Sequence, residues 1–324
     1  MENSTYGIER RWRYADRNFL IVLCCNAFLA TCLDSFLLYL LRQRNGKRPD
    51  LIIVYCFVVS CLISSASRIP TFTVRYWMSF IEPYYIPAWQ CISYHLYFPV
   101  IGVGTDMVTI TIALCSFERY CYFMNRTLYE SIFKKCTVGR VMSFTCLIAL
   151  ADLGVCTYLA CRKTHEPVLA LCIRAQVTSK KYYKIYALHT IIITSISALL
   201  YVATLLAQIM VRRRQGIADI TLASMRYRRD MQIFKSILLV FTCNVFTQVL
   251  PWICIYWKIN TNRYDWIDKS MRILENLFLS LSALVYMCIH PDISDQIKRL
   301  RPFRYYFKTS DDVLSLSAKL RRRY

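Results

Sequence analysis

The sequence predicts an all-α membrane protein: a seven-transmembrane helix bundle with a short amphipathic helix after the seventh span. Three observations point there. Seven apolar stretches run at 18–41, 51–74, 92–118, 138–160, 185–210, 232–257 and 270–289, each close to the roughly 20 helical residues that cross a ~30 Å hydrocarbon core. The hydrophobic fraction is 56%, above the ~45–50% of ordinary soluble domains. Lys and Arg, 41 in 324 residues, gather largely between and after these stretches. Lipid offers no partner for bare backbone N–H and C=O groups, so each run must close its own hydrogen bonds as an α-helix.

Taken in order, the first span carries one acid, Asp34. The second meets Pro49 and Pro70, and the sixth meets Pro251 in its outer half; proline frees a carbonyl and bends or breaks a helix. The third holds Asp106 midway and closes on Glu118-Arg119-Tyr120, while the fourth holds Asp152. After the fifth comes an arginine-rich loop, and the seventh carries Glu275 and Tyr286 and stops before Pro291. From Asp292 to Phe303, the residues Ile293, Ile297, Leu300 and Phe303 recur at helical spacing among Lys298, Arg299 and Arg301. That is the pattern of a helix lying on a membrane surface. The division that follows is 1–17 as an extracellular N-terminus, 18–290 as the membrane domain and 291–324 as a cytoplasmic helix and basic tail.

The net charge of +21 would suggest nucleic acid in a soluble protein. Here the cations flank apolar spans, where anionic membrane lipid is their counterpart, and no stacking platform, zinc spacing or recognition helix speaks for nucleic acid. Their placement orients the bundle. Arg42 to Arg48, Arg119 to Arg140, Arg212 to Lys235 and Lys298 onward fall on one side, which makes that side cytoplasmic and puts the N-terminus outside. Arg10, Arg11, Arg13 and Arg17 argue the other way and are outvoted by the later loops. The sequon at Asn3 then lies outside and is a glycosylation candidate, while Asn125 lies inside. The first apolar run is longer than the apolar core of a signal peptide and lacks a small-residue cleavage site.

Most of the 16 cysteines fall within spans, where Cys is a small apolar residue. Cys91, Cys161 and Cys172 lie near the outer face; either Cys91 pairs with Cys172, closing the loop before the fifth span over the outer mouth, or all three are free thiols.

Arg119 is the most informative single residue. A charge at the membrane edge costs a few kcal/mol unless paired or wet, and Glu118 supplies local compensation. An acid-Arg-aromatic triplet at the inner end of the third of seven helices resembles that of G-protein-coupled receptors, in which the freed arginine faces the groove that takes a G protein's C-terminal helix. Glu118-Arg119 followed by Tyr129-Glu130 resembles the ER…YE signature of the Sra superfamily of nematode chemoreceptors. Ser224-Met225-Arg226-Tyr227 is similar to the Ser-x-x-(Tyr/Phe) segment those proteins carry before helix six, and class epsilon (Sre) is the most similar class. The resemblance implies a chemosensory receptor in the plasma membrane, including sensory cilia of neurons. Such a receptor would bind an odorant or peptide outside and a heterotrimeric G protein inside. Glu118, Arg119, Tyr120, Tyr129, Glu130 and Tyr286 would form the coupling and activation face. Two departures from rhodopsin-like receptors stand out. Ser282-Ala283-Leu284-Val285-Tyr286 replaces Asn-Pro-x-x-Tyr, keeping the hydroxyl and losing the proline. Cys61 falls where a sodium-binding aspartate is usual.

Ionisable residues inside the bundle mark a binding cavity or a structural pair. Asp106 and Glu275, on the third and seventh helices, are the leading ligand-facing residues and suit a cationic group. The competing and stronger reading makes each a hydrogen-bond partner of a neighbouring helix, through His95, His189 or Asn244. Trp252 and Tyr256 offer an aromatic wall to the same pocket, or serve as interface anchors.

Other function classes fit less well. No internal repeat, broken-helix pair or polar file argues for a channel or transporter, which remains the alternative. No His-Glu-x-x-His, nucleophile elbow or glycine-rich phosphate loop argues for an enzyme, a cofactor or a metal, and the four histidines are dispersed.

Overall fold

The computed structural model describes residues 17–43, 49–81, 84–93, 97–124, 126–133, 135–163, 166–172, 174–214, 231–232, 234–235, 238–261 and 265–299. Seven of its helices are long and apolar enough to cross a membrane. They are α1 (Arg17–Gln43), α2 (Pro49–Met78), α3 (Tyr97–Met124), α4 (Lys135–Arg162), α5 (Lys180–Arg214), α6 (238–261) and α7 (Asp265–Ile289), followed by the short α8 (Pro291–Arg299). The fold is the expected seven-helix bundle.

Helix ends depart from the apolar boundaries because a helix stops where its backbone loses partners, not where hydropathy fades. Thus α3 runs past Glu118 to Met124, and α2 passes through Pro70 to Met78. Pro49 opens α2 and Pro291 opens α8, positions where the missing N–H would be unpaired in any case. Pro251 does more than bend its helix. Directly before it, Val245–Val249 widens into a π-helix, and the Leu250 N–H reaches back five residues to the Val245 carbonyl. Pro251 has no N–H to donate to the carbonyl four residues back, which favours this wider pairing.

Within the bundle α3 packs against α2, α4 and α5, while α1 bridges α2 and α7 and α6 lies between α5 and α7. Leu37, Phe57, Ile112, Tyr201, Phe241, Phe278 and Tyr286 belong to one buried cluster, joined by Ile293 of α8. The apolar stripe of α8 therefore covers the end of the bundle rather than lipid alone; Leu300 and Phe303 lie outside the described residues. Leu29, Phe144, Ile185, Leu199 and Phe246 are exposed, as expected of a surface solvated by lipid chains. Interior hydroxyls such as Ser60, Thr111, Ser197 and Thr204 donate to their own helix's carbonyls four residues back, which satisfies them without a second helix. At one point two backbones nearly touch: a Cβ on Gly104 of α3 would lie 2.7 Å from the Ser64 amide nitrogen of α2.

One end of the bundle carries a small antiparallel sheet between β1 (Tyr85–Pro87) and β2 (Pro167–Leu169), with Ile86 opposite Val168. The loops after α2 and α4 are thus hydrogen-bonded to each other, an arrangement of segments expected only as loops. Beside the sheet, Cys91 and Cys172 form a disulfide with Cα atoms 5.5 Å apart. Cys172 takes a positive φ of 51°, uncommon for a side-chain-bearing residue, where the chain turns back toward α5. Arg119 lies toward the opposite end.

Candidate functional site

The disulfide brings a charged loop into the bundle. Two residues after Cys172, Arg174 opens a four-residue helical turn, Arg174–Val177, that leads into α5. Its Nη2 donates to the Asp152 Oδ2 of α4 at 2.5 Å, and its guanidinium lies 3.9 Å from the centre of the Tyr186 ring on α5. Gly102 makes room for it: a Cβ there would meet Nη1 at 3.0 Å. The Tyr182 hydroxyl donates to the other Asp152 oxygen, and the Cys156 thiol lies 3.4 Å from both Tyr182 and Arg174.

Asp106 lies one helical turn deeper than Gly102 on α3 and is 6% exposed. Its electrostatic neighbours are Asp152 and Arg174, and its carboxyl comes within hydrogen-bonding reach of Asp152. The Tyr186 hydroxyl likewise sits within hydrogen-bonding reach of Asp106. Tyr186 and Tyr183 pack their rings on Trp252 of α6, at 5.3 and 6.0 Å between centroids. Tyr256 joins the same aromatic cluster, half-buried. The structure therefore gathers Asp106, Trp252 and Tyr256 around Tyr186.

Glu275 goes elsewhere. Its Oε1 accepts from Arg68 Nη2 of α2 at 2.7 Å, and its carbonyl accepts from Gln248 of α6 at 3.0 Å. Next to it, Asn276 donates to the Leu23 carbonyl of α1. Four helices are stitched together there. Of the partners expected for these acids, His189 is exposed, Asn244 is buried with an unpartnered amide nitrogen and His95 lies outside the described residues. Arginines and tyrosines take that place. Arg68 carried the same signal as the acids, a charge within an apolar span. Arg174 carried only its proximity to a cysteine, and nothing in the sequence says that its loop dips inward.

At the other end, Arg119 Nε lies 2.9 Å from Glu118 Oε2, with side chains 7% and 2% exposed. Tyr201 on α5 and Tyr286 on α7, both buried, are electrostatic neighbours of the pair. Tyr286 packs its ring 5.6 Å from Phe57 of α2. Tyr120 packs with Ile53, Phe133 and Val138. Tyr129 and Glu130 lie on a short helix, Arg126–Ile132, after α3. Tyr129 stacks on Phe133 at 5.3 Å and meets Tyr122 edge-on at 5.2 Å, while Glu130 is exposed. Phe123 of α3 meets Phe234, just ahead of α6, at 5.9 Å. Asn3 and Ser224 to Tyr227 lie outside the described residues.

In comparisons with known proteins, no family model and no curated protein matches the chain. The geometry thus stands by itself: a membrane bundle with an acid–arginine–tyrosine group at one end of α3 and, toward the other, buried Asp106 beside a half-buried acid–arginine pair.

Proposed function

We propose that the chain is a G-protein-coupled chemosensory receptor similar to the Sra superfamily, nearest its epsilon class. In this reading it lies in the plasma membrane with the disulfide end outside. The observation that carries the reading is the buried Glu118–Arg119 pair on the helix that also bears Asp106. Thirteen residues at 1.5 Å each place the two about 20 Å apart, so one rigid element links an outer polar site to an inner charge. Arg119 is buried with Tyr201 and Tyr286 as neighbours, and Phe123 of the same helix meets Phe234 ahead of α6. A ligand that binds more tightly when α6 is displaced shifts the population toward that state, and the π-helix before Pro251 gives α6 a weak point at which to bend. The freed Arg119 then faces a groove for the G protein's terminal helix, flanked by the basic loops that orient the bundle.

The test is G-protein activation in cells against a panel of odorants and peptides, comparing wild type with Arg119→Ala at matched surface expression. Loss of a ligand response in the variant is the expected result. An unchanged response removes Arg119 from the mechanism, and a ligand-evoked current without G protein moves the chain to the channel alternative.

A further inference from the structure

Asp106 and Asp152 come within hydrogen-bonding reach of each other and share one cation, Arg174. Two carboxylates that close do not both stay ionised without positive charge beside them, and a net charge left in a buried site costs several kcal/mol. Arg174 satisfies Asp152 directly, with Tyr182 on the second oxygen. Asp106 has no such direct cation contact; its near neighbour besides Asp152 is the Tyr186 hydroxyl, on a residue 5% exposed. The Trp252 indole N–H, packed on the same Tyr186 ring, is buried and unpartnered. Arg174 reaches this place from a loop, held by the Cys91–Cys172 disulfide two residues away and lodged against Gly102. Gly102 is one turn nearer the disulfide end than Asp106, so Arg174 stands between Asp106 and that end.

We infer that the Asp106–Asp152 pair is the receiving site for an ammonium or guanidinium group on an extracellular ligand, which takes the position held by the Arg174 guanidinium. Tyr186 supplies a ring face for the cation and a hydroxyl that can accept from it. Arg174 is a tethered competitor: a short tether presents it at an effective concentration on the order of millimolar. A ligand must out-compete it, and doing so releases the loop from α4 and α5. This inference rests on the receptor reading for its direction of access.

The test uses the full chain in lipid nanodiscs, with methylguanidinium as probe and methylurea as its neutral counterpart, read as the shift in thermal midpoint. Arg174→Gln is expected to lower the methylguanidinium concentration for half-effect by roughly tenfold or more relative to wild type, the advantage set by removing the tethered competitor. Methylurea is expected to do nothing, and Asp106→Asn in the Arg174→Gln background to abolish the response. Equal shifts from both probes, or a response indifferent to Asp106→Asn, overturn the inference. If Arg174→Gln does not fold alone, purification in millimolar probe decides: recovery with the cation only supports the site, and recovery with neither or with both overturns it. No G protein enters this readout, so its failure leaves the Arg119 reading standing, and a silent G-protein assay leaves this site standing.

Discussion

Arg68 and Glu275 show what single residues do inside this bundle. Their 2.7 Å contact joins α2 to α7, with side chains 6% and 15% exposed. Removing one member of a buried ion pair strands the other, at a cost of about 3–5 kcal/mol, whereas replacing both with apolar groups of similar size is often neutral or better. Arg68→Met is therefore expected to lower stability by about that amount, and Arg68→Met with Glu275→Leu to recover most of it, measured by thermal unfolding in detergent. A double variant as unstable as the single one would show that Gln248, Asn276 and their carbonyl partners depend on the pair itself. Asp106 and Glu275 are legible in the sequence because an acid in an apolar run is conspicuous. What they touch is not legible there: Arg68 lies 207 residues from Glu275, and Asp152, Arg174 and Tyr186 come to Asp106 from other elements, so neither set of contacts leaves a local pattern.

Among the helices, the closest approach is the one between α2 and α3. A methyl group on Gly104 would lie 2.7–2.9 Å from Ser64 backbone and side-chain atoms, and a backbone cannot swing aside as a side-chain tip can. Gly104→Ala is expected to cost about 1–3 kcal/mol, the range for overpacking. Gly154 on α4 has nothing within 4 Å of its would-be Cβ, so Gly154→Ala is expected to be neutral or to gain up to about 1 kcal/mol from helix propensity. The comparison of the two thermal midpoints is the measurement; equal effects would mean that α2 and α3 separate at little cost. Glycine in both spans looks alike in sequence, and only the crossing of two helices distinguishes them. The π-helix of α6 is intermediate: Pro251 announced a disturbance, but whether the helix kinks or widens depends on what its neighbours can accommodate.

At the scale of the molecule, charge and covalent linkage set the two ends apart. The disulfide end holds a sheet, a cystine and an inward arginine, while the other gathers Arg119 and α8. Arg17, one of the four arginines that argue against the orientation, is held by local contacts: its guanidinium lies 4.0 Å from the Phe80 ring at the disulfide end, and it donates to the Ser79 carbonyl at 3.4 Å. A cation held by an aromatic and a carbonyl weighs less against the orientation set by the later loops. An epitope tag ahead of residue 17 is expected to bind antibody on intact cells, and one after residue 299 only after permeabilisation. The reverse staining would invert the bundle and place Arg174 and Asp106 on the cytoplasmic side, removing the extracellular ligand from the proposal.

The seven helices were legible from the residues alone, because in lipid each span must satisfy its own backbone and its length is set by bilayer thickness. The sequence marked Asp106, Glu275, Glu118 and Arg119 as the costly charges. Tertiary structure alone decided which charges meet. It placed Arg174 on Asp152 and beside Asp106, and put Arg68 on Glu275. It also turned two loops into the pair β1 and β2 and brought Tyr201 and Tyr286 to Arg119. The physical reason is range: helix formation is written in neighbours three and four residues apart, whereas a buried ion pair takes its energy from desolvation and geometry that exist only once the helices have packed.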